Sequence, residues 1–312
     1  MCGIMGLVSY SGSAPSHLQA KMLRKATSKL LKSSEIRGRD SAGVSILTDK
    51  KVSLFKTNLM ASEFVQTAGY SNVLKSINRQ DVFKAMIGHT RQKTKGHEKF
   101  NVNNHPIVAN DIIGVHNGFI GNDDLLFDKY VNDIDRAGKV DSEIIFRLID
   151  YHRRKGSTII QSVQNTCSDI TGAYTCAFID SAGSDYVTIF SNSSYTNAYI
   201  FIYEPLKTIA FASSEDILNS ALRDNTALDP VFATHKVEVG ATGYRINIRT
   251  GRLFKFDLNQ KKATTAVNAM QRSLLGIPED RGGCSLDEIG FQHEMLDRCD
   301  KRCGLCPYYR RK

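Results

Sequence analysis

The strongest constraint on the fold is the order in which strand-like and helical segments follow one another. Apolar runs typical of buried strands come in blocks, and helical patterns separate the blocks. This order favours layered antiparallel sheets with helices outside them over a regular βαβ alternation. The predicted strands cover residues 3–10, 43–47, 51–55, 83–89, 112–116, 173–180, 186–191, 198–203, 208–212, 242–248 and 253–258, and the predicted helices cover 15–32, 142–153, 157–165 and 214–222.

The predicted helices have identifiable ends and inner faces. Asp141 stands directly before the helix 142–153, where a side-chain oxygen can accept from the first free N–H groups, so we expect it to be the N-cap. The last two strands flank residues 249–252 and predict a hairpin. The candidate core residues are Leu18, Met22, Leu30 and Leu31 of the first helix and Ile144, Ile145, Leu148 and Ile149 of the second.

Composition and charge exclude several classes of protein. The chain has 312 residues, 23% of them charged, and no low-complexity segment. No apolar run approaches the roughly 18–20 residues that span a bilayer, and the first residues lack the features of a signal peptide. We therefore predict a cytoplasmic protein that does not enter a membrane. The net charge is +9, of which residues 231–312 contribute +6 (15 basic, 9 acidic).

The residue after the initiator methionine is the sharpest chemical feature. If Met1 is removed, Cys2 carries a thiol and a free α-amine, and the amine, with a pKa of about 7.7–8.0, can act as its base. The alternative is that Cys2 is only a small buried residue.

Polar segments at strand ends and before a helix accompany this cysteine. They are RGRDSAG at 37–43, GHTR at 88–91, HNG at 116–118 and VDSE at 140–143. Each also has an ordinary explanation: turn glycines, a solvated basic loop, a type I′ turn at Asn117-Gly118, or a helix cap.

In their order and spacing, together with Cys2-Gly3-Ile4 and GAY at 172–174, these segments resemble the glutaminase domain of class II glutamine amidotransferases. The similarity is greatest to the domain that supplies glucosamine-6-phosphate synthase, and it runs from Cys2 to about Leu258. It implies an α+β fold of the N-terminal-nucleophile hydrolase type, a four-layer αββα sandwich. It also implies that residues 1–258 form the glutaminase domain.

The resemblance implies a role for each matching residue. Cys2 attacks the side-chain amide of glutamine, and Asn117 and Gly118 donate hydrogen bonds to the oxyanion. The substrate-binding set holds the charged α-carbon groups, with Arg91 and Thr94 on the carboxylate, Asp141 on the ammonium and Arg37 bracing the loop around Cys2; His116 is included in it. We interpret His89 and His116 as buried neighbours rather than bases. Hydrolysis itself requires no cofactor.

Two positions depart from the family pattern. Gln92 stands where the family usually has tryptophan after the GHTR arginine, and Lys95 stands where it has histidine before the glycine. The nucleophile, the oxyanion donors and the charge-binding residues remain. We therefore expect hydrolysis to be retained and the loop over glutamine to close differently.

Four of the seven cysteines lie in the last 29 residues. Cys284, Cys299, Cys303 and Cys306 form a candidate structural Zn²⁺ site in a basic, Cys-rich module 284–312, which follows a polar linker 259–283. The CxxxCxxC spacing also resembles that of radical-SAM enzymes, although no barrel follows it, and an iron–sulfur cluster or reduced thiols remain alternatives. The basic residues with Tyr308 and Tyr309 predict docking to an acidic partner, with nucleic acid as the alternative.

The sequence does not identify the acceptor of the glutamine amide nitrogen. About 50 residues follow Leu258, too few for the acceptor domain of the resembled synthases, so we expect a separate synthase to receive the ammonia. Two alternatives stay open: hydrolysis of another γ-glutamyl amide, and a non-catalytic interaction module on the same scaffold.

Overall fold

A computed structural model describes residues 1–183, 185–193, 195–225 and 227–259. Within it, Met1–Leu258 form one compact unit. The predicted module 284–312, with its four cysteines and basic residues, lies outside the described residues, as does the predicted linker beyond Asn259.

The compact unit contains seven α-helices and thirteen strands in the part of the chain that is described. The helices are α1 (His17–Ser34), α2 (Ala61–Phe64), α3 (Ala68–Leu74), α4 (Asp123–Lys129), α5 (Glu143–Arg154), α6 (Ile159–Asp169) and α7 (Glu215–Leu222). The strands are β1 (Gly3–Ser9), β2 (Ser41–Thr48), β3 (Val52–Thr57), β4 (Phe83–Arg91), β5 (Ile107–Ala109), β6 (Ile112–Ile120), β7 (Gly172–Asp180), β8 (Tyr186–Ser191), β9 (Tyr199–Tyr203), β10 (Thr208–Ala212), β11 (His235–Glu238), β12 (Gly243–Asn247) and β13 (Leu253–Phe256).

These strands form two antiparallel sheets. The first has the order β11-β9-β10-β1-β4-β2-β3, with β1 at its centre, and the second has the order β13-β12-β8-β7-β6-β5. The predicted hairpin is present, because β12 pairs with β13 across residues 248–252. The prediction of layered antiparallel sheets is confirmed.

Three apolar cores separate four layers. One lies between the first sheet and α1, α2, α3 and α7, a second between the other sheet and α4, α5 and α6, and the third between the two sheets. Strand β1 serves two of them, since Met5 and Leu7 face the helices while Ile4 and Val8 face the second sheet. Burial on both faces explains the continuous apolar runs in the sequence. The predicted αββα sandwich is confirmed.

Some expectations about local structure are wrong. Leu18 is 76% exposed, because it lies on the solvent side of α1, and Leu23 is buried in the core that Leu18 was expected to join. The strand predicted to end at His116 continues to Ile120. Sequence patterns also missed β5, β11 and the short helices α2, α3 and α4. None of the helices in the described ranges is long and apolar enough to cross a membrane.

Candidate active site

Cys2 lies immediately before the central strand of the first sheet. The residue is buried, and its Sγ donates a hydrogen bond to the Gln92 carbonyl and accepts one from the Gln92 N–H, both at 3.4 Å. Gln92 therefore holds the thiol through its backbone, which any side chain at this position would allow. The thiol is thus placed at the end of β4, where the GHTR segment stops.

The protonated thiol is the favoured form in this environment. Burial raises the pKa of Cys2 above its ordinary value, and the Gln92 backbone hydrogen bond and the positive charges of the N-terminal amine and Arg91 offset only part of this. A thiol of this kind needs a base before it can act as a nucleophile. With Met1 attached, the nitrogen of Cys2 is an amide and cannot be that base, whereas removal of Met1 would turn it into an amine that can.

The RGRDSAG segment supports Cys2 from one side. Arg37 Nε donates to the Cys2 carbonyl at 2.8 Å, in agreement with a bracing position, although its role stays a prediction. The two glycines are explained by close packing and not by turns. A Cβ on Gly38 would lie 2.3 Å from the Arg91 carbonyl carbon, and one on Gly43 would lie 2.0 Å from the His105 oxygen.

The HNG segment lies within β6 and is not a turn. Asn117 pairs with Thr175 and Gly118 with Tyr174 of β7, so the type I′ alternative is wrong. The Asn117 side chain is fully buried, yet neither its Nδ2 nor its Oδ1 has a hydrogen-bond partner in the described chain. A buried amide without a partner is unfavourable unless a ligand completes its hydrogen bonds. Within the described chain, Asn117 Nδ2 is therefore available to donate to a ligand oxygen, and its oxyanion role stays a prediction.

Two histidines join the sheets at this end of the sandwich. His89 on β4 donates from Nε2 to the carbonyl of His116 on β6 at 2.9 Å, and its ring stacks on His105 with centroids 4.0 Å apart. The His116 ring contacts the residue before α5, since its Nδ1 lies 2.7 Å from Ser142 Oγ. Both rings thus have contacts within the described chain. The hydrogen bond from His89 to the His116 carbonyl places the GHTR segment beside the HNG segment. A substrate contact by His116 stays a prediction.

Arg91 is a buried cation held by neutral groups. Its Nη1 donates to Asn104 Oδ1 at 3.0 Å, and its Nη2 donates to the carbonyls of Lys95 and Gly96 at 2.6 and 2.7 Å. No carboxylate of the described residues lies within ion-pair distance of it. Sequence reasoning missed Asn104. The sequence marks this residue only by its position directly before the pair His105-Pro106. Thr94 is exposed on the same loop, and its contact with substrate stays a prediction.

Asp141 is a buried anion, and its position corrects the sequence prediction. Helix α5 begins at Glu143 with Ser142 as its N-cap residue, so Asp141 is not the cap. Its Oδ2 instead accepts from the backbone N–H of Ile120 at 2.8 Å, which directs the carboxylate towards β6. Among residues whose positions are described, no lysine, arginine or histidine pairs with Asp141. A buried carboxylate without a cation is a favourable place for a ligand ammonium.

The charges of Arg91 and Asp141 both reach Cys2. Each contributes to the electrostatic environment that sets the pKa of the thiol, Arg91 lowering and Asp141 raising it. A buried thiol in the fields of a guanidinium and a carboxylate, neither of them ion-paired within the described residues, suits a zwitterionic ligand with a reactive carbonyl group. Cys2, Arg91 and Asp141 therefore interact electrostatically, and their roles in substrate binding and catalysis stay predictions.

The sequence of the chain is similar to those of known enzymes. No protein-family model matches it. Glutamine–fructose-6-phosphate aminotransferase (isomerizing) of Staphylococcus epidermidis is 29% identical over 195 residues, and the enzyme of that name from Staphylococcus aureus is 28% identical over 199. Each match covers 62% of this chain and 30% of the relative. Over the matched residues, the chain is homologous to these glutamine-using aminotransferases.

A similar fold is found in a solved structure. Glutamine phosphoribosylpyrophosphate amidotransferase of Bacillus subtilis, complexed with ADP and GMP, superposes with a TM-score of 0.59. The match covers 83% of this chain and 50% of that one at 17% identity, so it supports the architecture alone. The chain spans about a third of the length of its curated relatives. The complete reactions of those enzymes are therefore not assigned to it.

The protein shows no metal centre in the part of the chain that the structure describes. No group of three or more His, Cys, Asp or Glu side chains there is arranged to hold a metal ion. The predicted zinc ligands Cys284, Cys299, Cys303 and Cys306 lie outside the described residues, and that site stays a prediction.

The buried histidines predict that acid destabilises the protein. Burial lowers the pKa of His89 to about 3, places that of His105 well below its ordinary value and lowers that of His116. Unfolded histidine binds a proton near pH 6.5, so from there towards pH 3 the unfolded chain binds more protons than the folded one. Stability is therefore greatest above this window and falls by up to about 1.4 kcal/mol per pH unit for each such histidine as the pH decreases.

Urea unfolding at about pH 7 and about pH 5 measures this dependence. The variant His105→Phe should show a smaller loss between the two pH values than the wild type, because it has one buried histidine fewer. The exposed His17 provides the control, and His17→Gln should retain the wild-type loss. An unchanged pH dependence in His105→Phe contradicts the assignment.

Proposed function

We propose that the chain hydrolyses the side-chain amide of glutamine and provides the released ammonia for transfer to an acceptor. The observation that carries the proposal is a pair of buried charges, Arg91 and Asp141, which form no ion pair within the described ranges and whose fields both act on the Cys2 thiol. They match the α-carboxylate and α-ammonium of a free amino acid. The homology to glutamine-using enzymes supports the same conclusion.

The proposed reaction begins with Cys2 as the N-terminal residue. Its α-amine takes the thiol proton, and the thiolate attacks the amide carbon of glutamine. The Asn117 amide and the Gly118 N–H stabilise the negative oxygen of the tetrahedral intermediate. The amine base returns the proton to the leaving nitrogen, the C–N bond breaks, and ammonia leaves a thioester on Cys2. Water then attacks the thioester, releasing glutamate and restoring the thiol.

Selectivity in this proposal comes from the two charges and the distance to the nucleophile. Arg91 and Asp141 hold the α-carbon groups, so only a side chain of suitable length places its amide carbon against Cys2. Asparagine is one methylene shorter and should therefore be a poor substrate, although it carries the same charges.

The decisive experiment combines turnover with labelling of the nucleophile. Protein whose intact mass shows loss of Met1 is incubated with glutamine, and glutamate and ammonia are measured. In parallel, 6-diazo-5-oxonorleucine should add one label, mapped by peptide mass spectrometry to Cys2 and not to the other described cysteines, Cys167 and Cys176. Glutamine, but not asparagine, should protect against labelling.

Two outcomes would overturn the proposal. If protein lacking Met1 neither releases glutamate nor reacts at Cys2, the scaffold is an interaction module without this chemistry. If other γ-glutamyl amides are hydrolysed much faster than glutamine, the chain is an amidohydrolase with a different substrate.

We also propose an acceptor for the ammonia and a cellular location for the protein. We infer that a separate synthase receives the ammonia, since the relatives are named as aminotransferases that use glutamine. Repeating the assay with co-purified candidate proteins should raise turnover if an acceptor couples to the site. A free Cys2 thiol also requires a reducing compartment, which supports a cytoplasmic location.

A further inference from the structure

The loop that follows Arg91 is fastened to α4 by the side chain of Lys95. The ammonium Nζ lies 2.8 and 2.6 Å from the two carboxylate oxygens of Asp123 and 2.8 Å from Asp124 Oδ2. The Asp123 side chain is 4% exposed, that of Lys95 37% and that of Asp124 64%. The contact therefore includes one buried carboxylate, which would lose part of its charge compensation if Lys95 were removed.

Arg136 completes the same cluster from the opposite direction. It lies 2.6 Å from Asp124 and 3.2 Å from Asp123, and its Nε donates to the Gly138 carbonyl at 2.8 Å. Hydrogen bonds from Lys95 and Arg136 lower the pKa of Asp124 to about 2, so this carboxylate is charged near neutral pH. Without Lys95, the two carboxylates would share a single cation.

Lys95 also contacts the group proposed to bind substrate. Its backbone carbonyl accepts from Arg91 Nη2 at 2.6 Å, and the next carbonyl, that of Gly96, accepts from the same nitrogen at 2.7 Å. One residue thus connects α4 through its side chain to the Arg91 guanidinium through its backbone. Movement of the loop would change the direction of the Arg91 N–H groups.

Lys93 provides an internal comparison. Its side chain is exposed to a similar degree, 41%, and its ammonium pairs with Glu98 at 2.9 Å. Both partners belong to the same loop, so this ion pair does not fasten the loop to another element. Lys95 and Lys93 thus carry the same ammonium group, but Lys95 pairs with α4 whereas Lys93 pairs within the loop.

We propose that Lys95 is a positioning residue, an ionic latch that holds the loop 92–99 and Arg91 ready for the α-carboxylate of the substrate. Its kinetic consequence rests on the proposed glutaminase function, whereas its effect on the loop does not. A loop that is already ordered loses less entropy when substrate binds, so the latch increases affinity rather than the rate of the chemical step. Because part of the cluster is exposed, salt should weaken it.

The test uses the full chain and the variants Lys95→Met, Lys95→Arg and Lys93→Met. Hydrogen exchange of peptides covering residues 92–104 is measured without substrate, and KM and kcat for glutamine are measured separately. We expect faster exchange in Lys95→Met only, a KM about tenfold higher and a kcat within about threefold of the wild type. Lys95→Arg should restore both properties, and about 0.5 M NaCl should raise the wild-type KM but not that of Lys95→Met.

A second variant protects the test against misfolding. Asp124→Asn removes the exposed carboxylate but leaves Asp123 paired, and should give a smaller change in the same direction. Unchanged exchange in residues 92–104 in Lys95→Met, or equal effects of Lys93→Met and Lys95→Met, would overturn the latch. If the wild type does not hydrolyse glutamine, the proposed function fails, and the exchange data still decide whether Lys95 holds the loop.

Discussion

Replacing Asn117 with alanine should lower kcat for glutamine hydrolysis by a factor of about 100 to 1,000, the usual effect of removing one oxyanion donor. The fold should keep its stability, because neither polar atom of this buried amide has a partner in the described chain and the substitution breaks no hydrogen bond. We expect the free energy of unfolding to change by less than about 1 kcal/mol. Steady-state kinetics and urea unfolding measure the two quantities.

Asn78 is the matched control for Asn117. It lies before β4, at the opposite end of that strand from Arg91, and its amide is fully used: Oδ1 accepts from the N–H groups of Gln80 and Asp81, and Nδ2 donates to Asp81. Asn78→Ala should lower stability by about 1–2 kcal/mol and leave kcat unchanged. A decrease in kcat of less than about tenfold in Asn117→Ala would contradict the oxyanion role.

Replacing Gly118 with alanine should destabilise the domain by about 3 kcal/mol or more and abolish glutamine turnover. Its φ of +138° lies in a region that L-residues rarely adopt, and a Cβ would stand 1.9 Å from the Ala173 carbonyl oxygen of the paired strand. Backbone cannot withdraw as a flexible side chain can, so β6 and β7 would have to separate where the proposed oxyanion donor lies. Urea unfolding and glutamate release measure both effects.

Gly156 separates the two causes of this destabilisation. It follows α5 with a φ of +95°, and a Cβ there meets no atom within 4 Å. Gly156→Ala should therefore lose only the conformational advantage of glycine, about 1 kcal/mol, and keep its activity. Equal losses of stability in the two variants would show that the backbone angle, and not the approach of Ala173, determines the effect at Gly118.

Local patterns predicted the central elements of the fold better than its edges. Strands such as β10 and helices such as α5 have long apolar faces that are buried in the cores, and their burial produces the signal that sequence analysis detects. Strand β11 is mostly exposed, and β5 has three residues, so neither carries such a signal. The helices α2, α3 and α4 span seven residues or fewer, about two turns, which is too short for a clear period.

The candidate site was predicted as a set of residues but not as an arrangement. The ordered motifs selected Cys2, Arg91, Asn117 and Asp141 as candidates, and the roles of these residues stay predictions. They did not distinguish a helix cap from a carboxylate directed to the Ile120 N–H, since both assignments place an acidic residue before α5. They also missed Asn104, whose contact with Arg91 is created by the path of the loop.

The sequence by itself determined the layered antiparallel class, through its blocks of apolar runs, and it selected the candidate site residues, through the order of its motifs. Only the tertiary structure decided which groups lack partners and which are held. His89 joins the two sheets through the His116 carbonyl, Asn117 is buried with no partner among the described residues, and Lys95 pairs with Asp123. These properties depend on how separate sheets and loops pack against one another, and no local spacing along the chain encodes that packing.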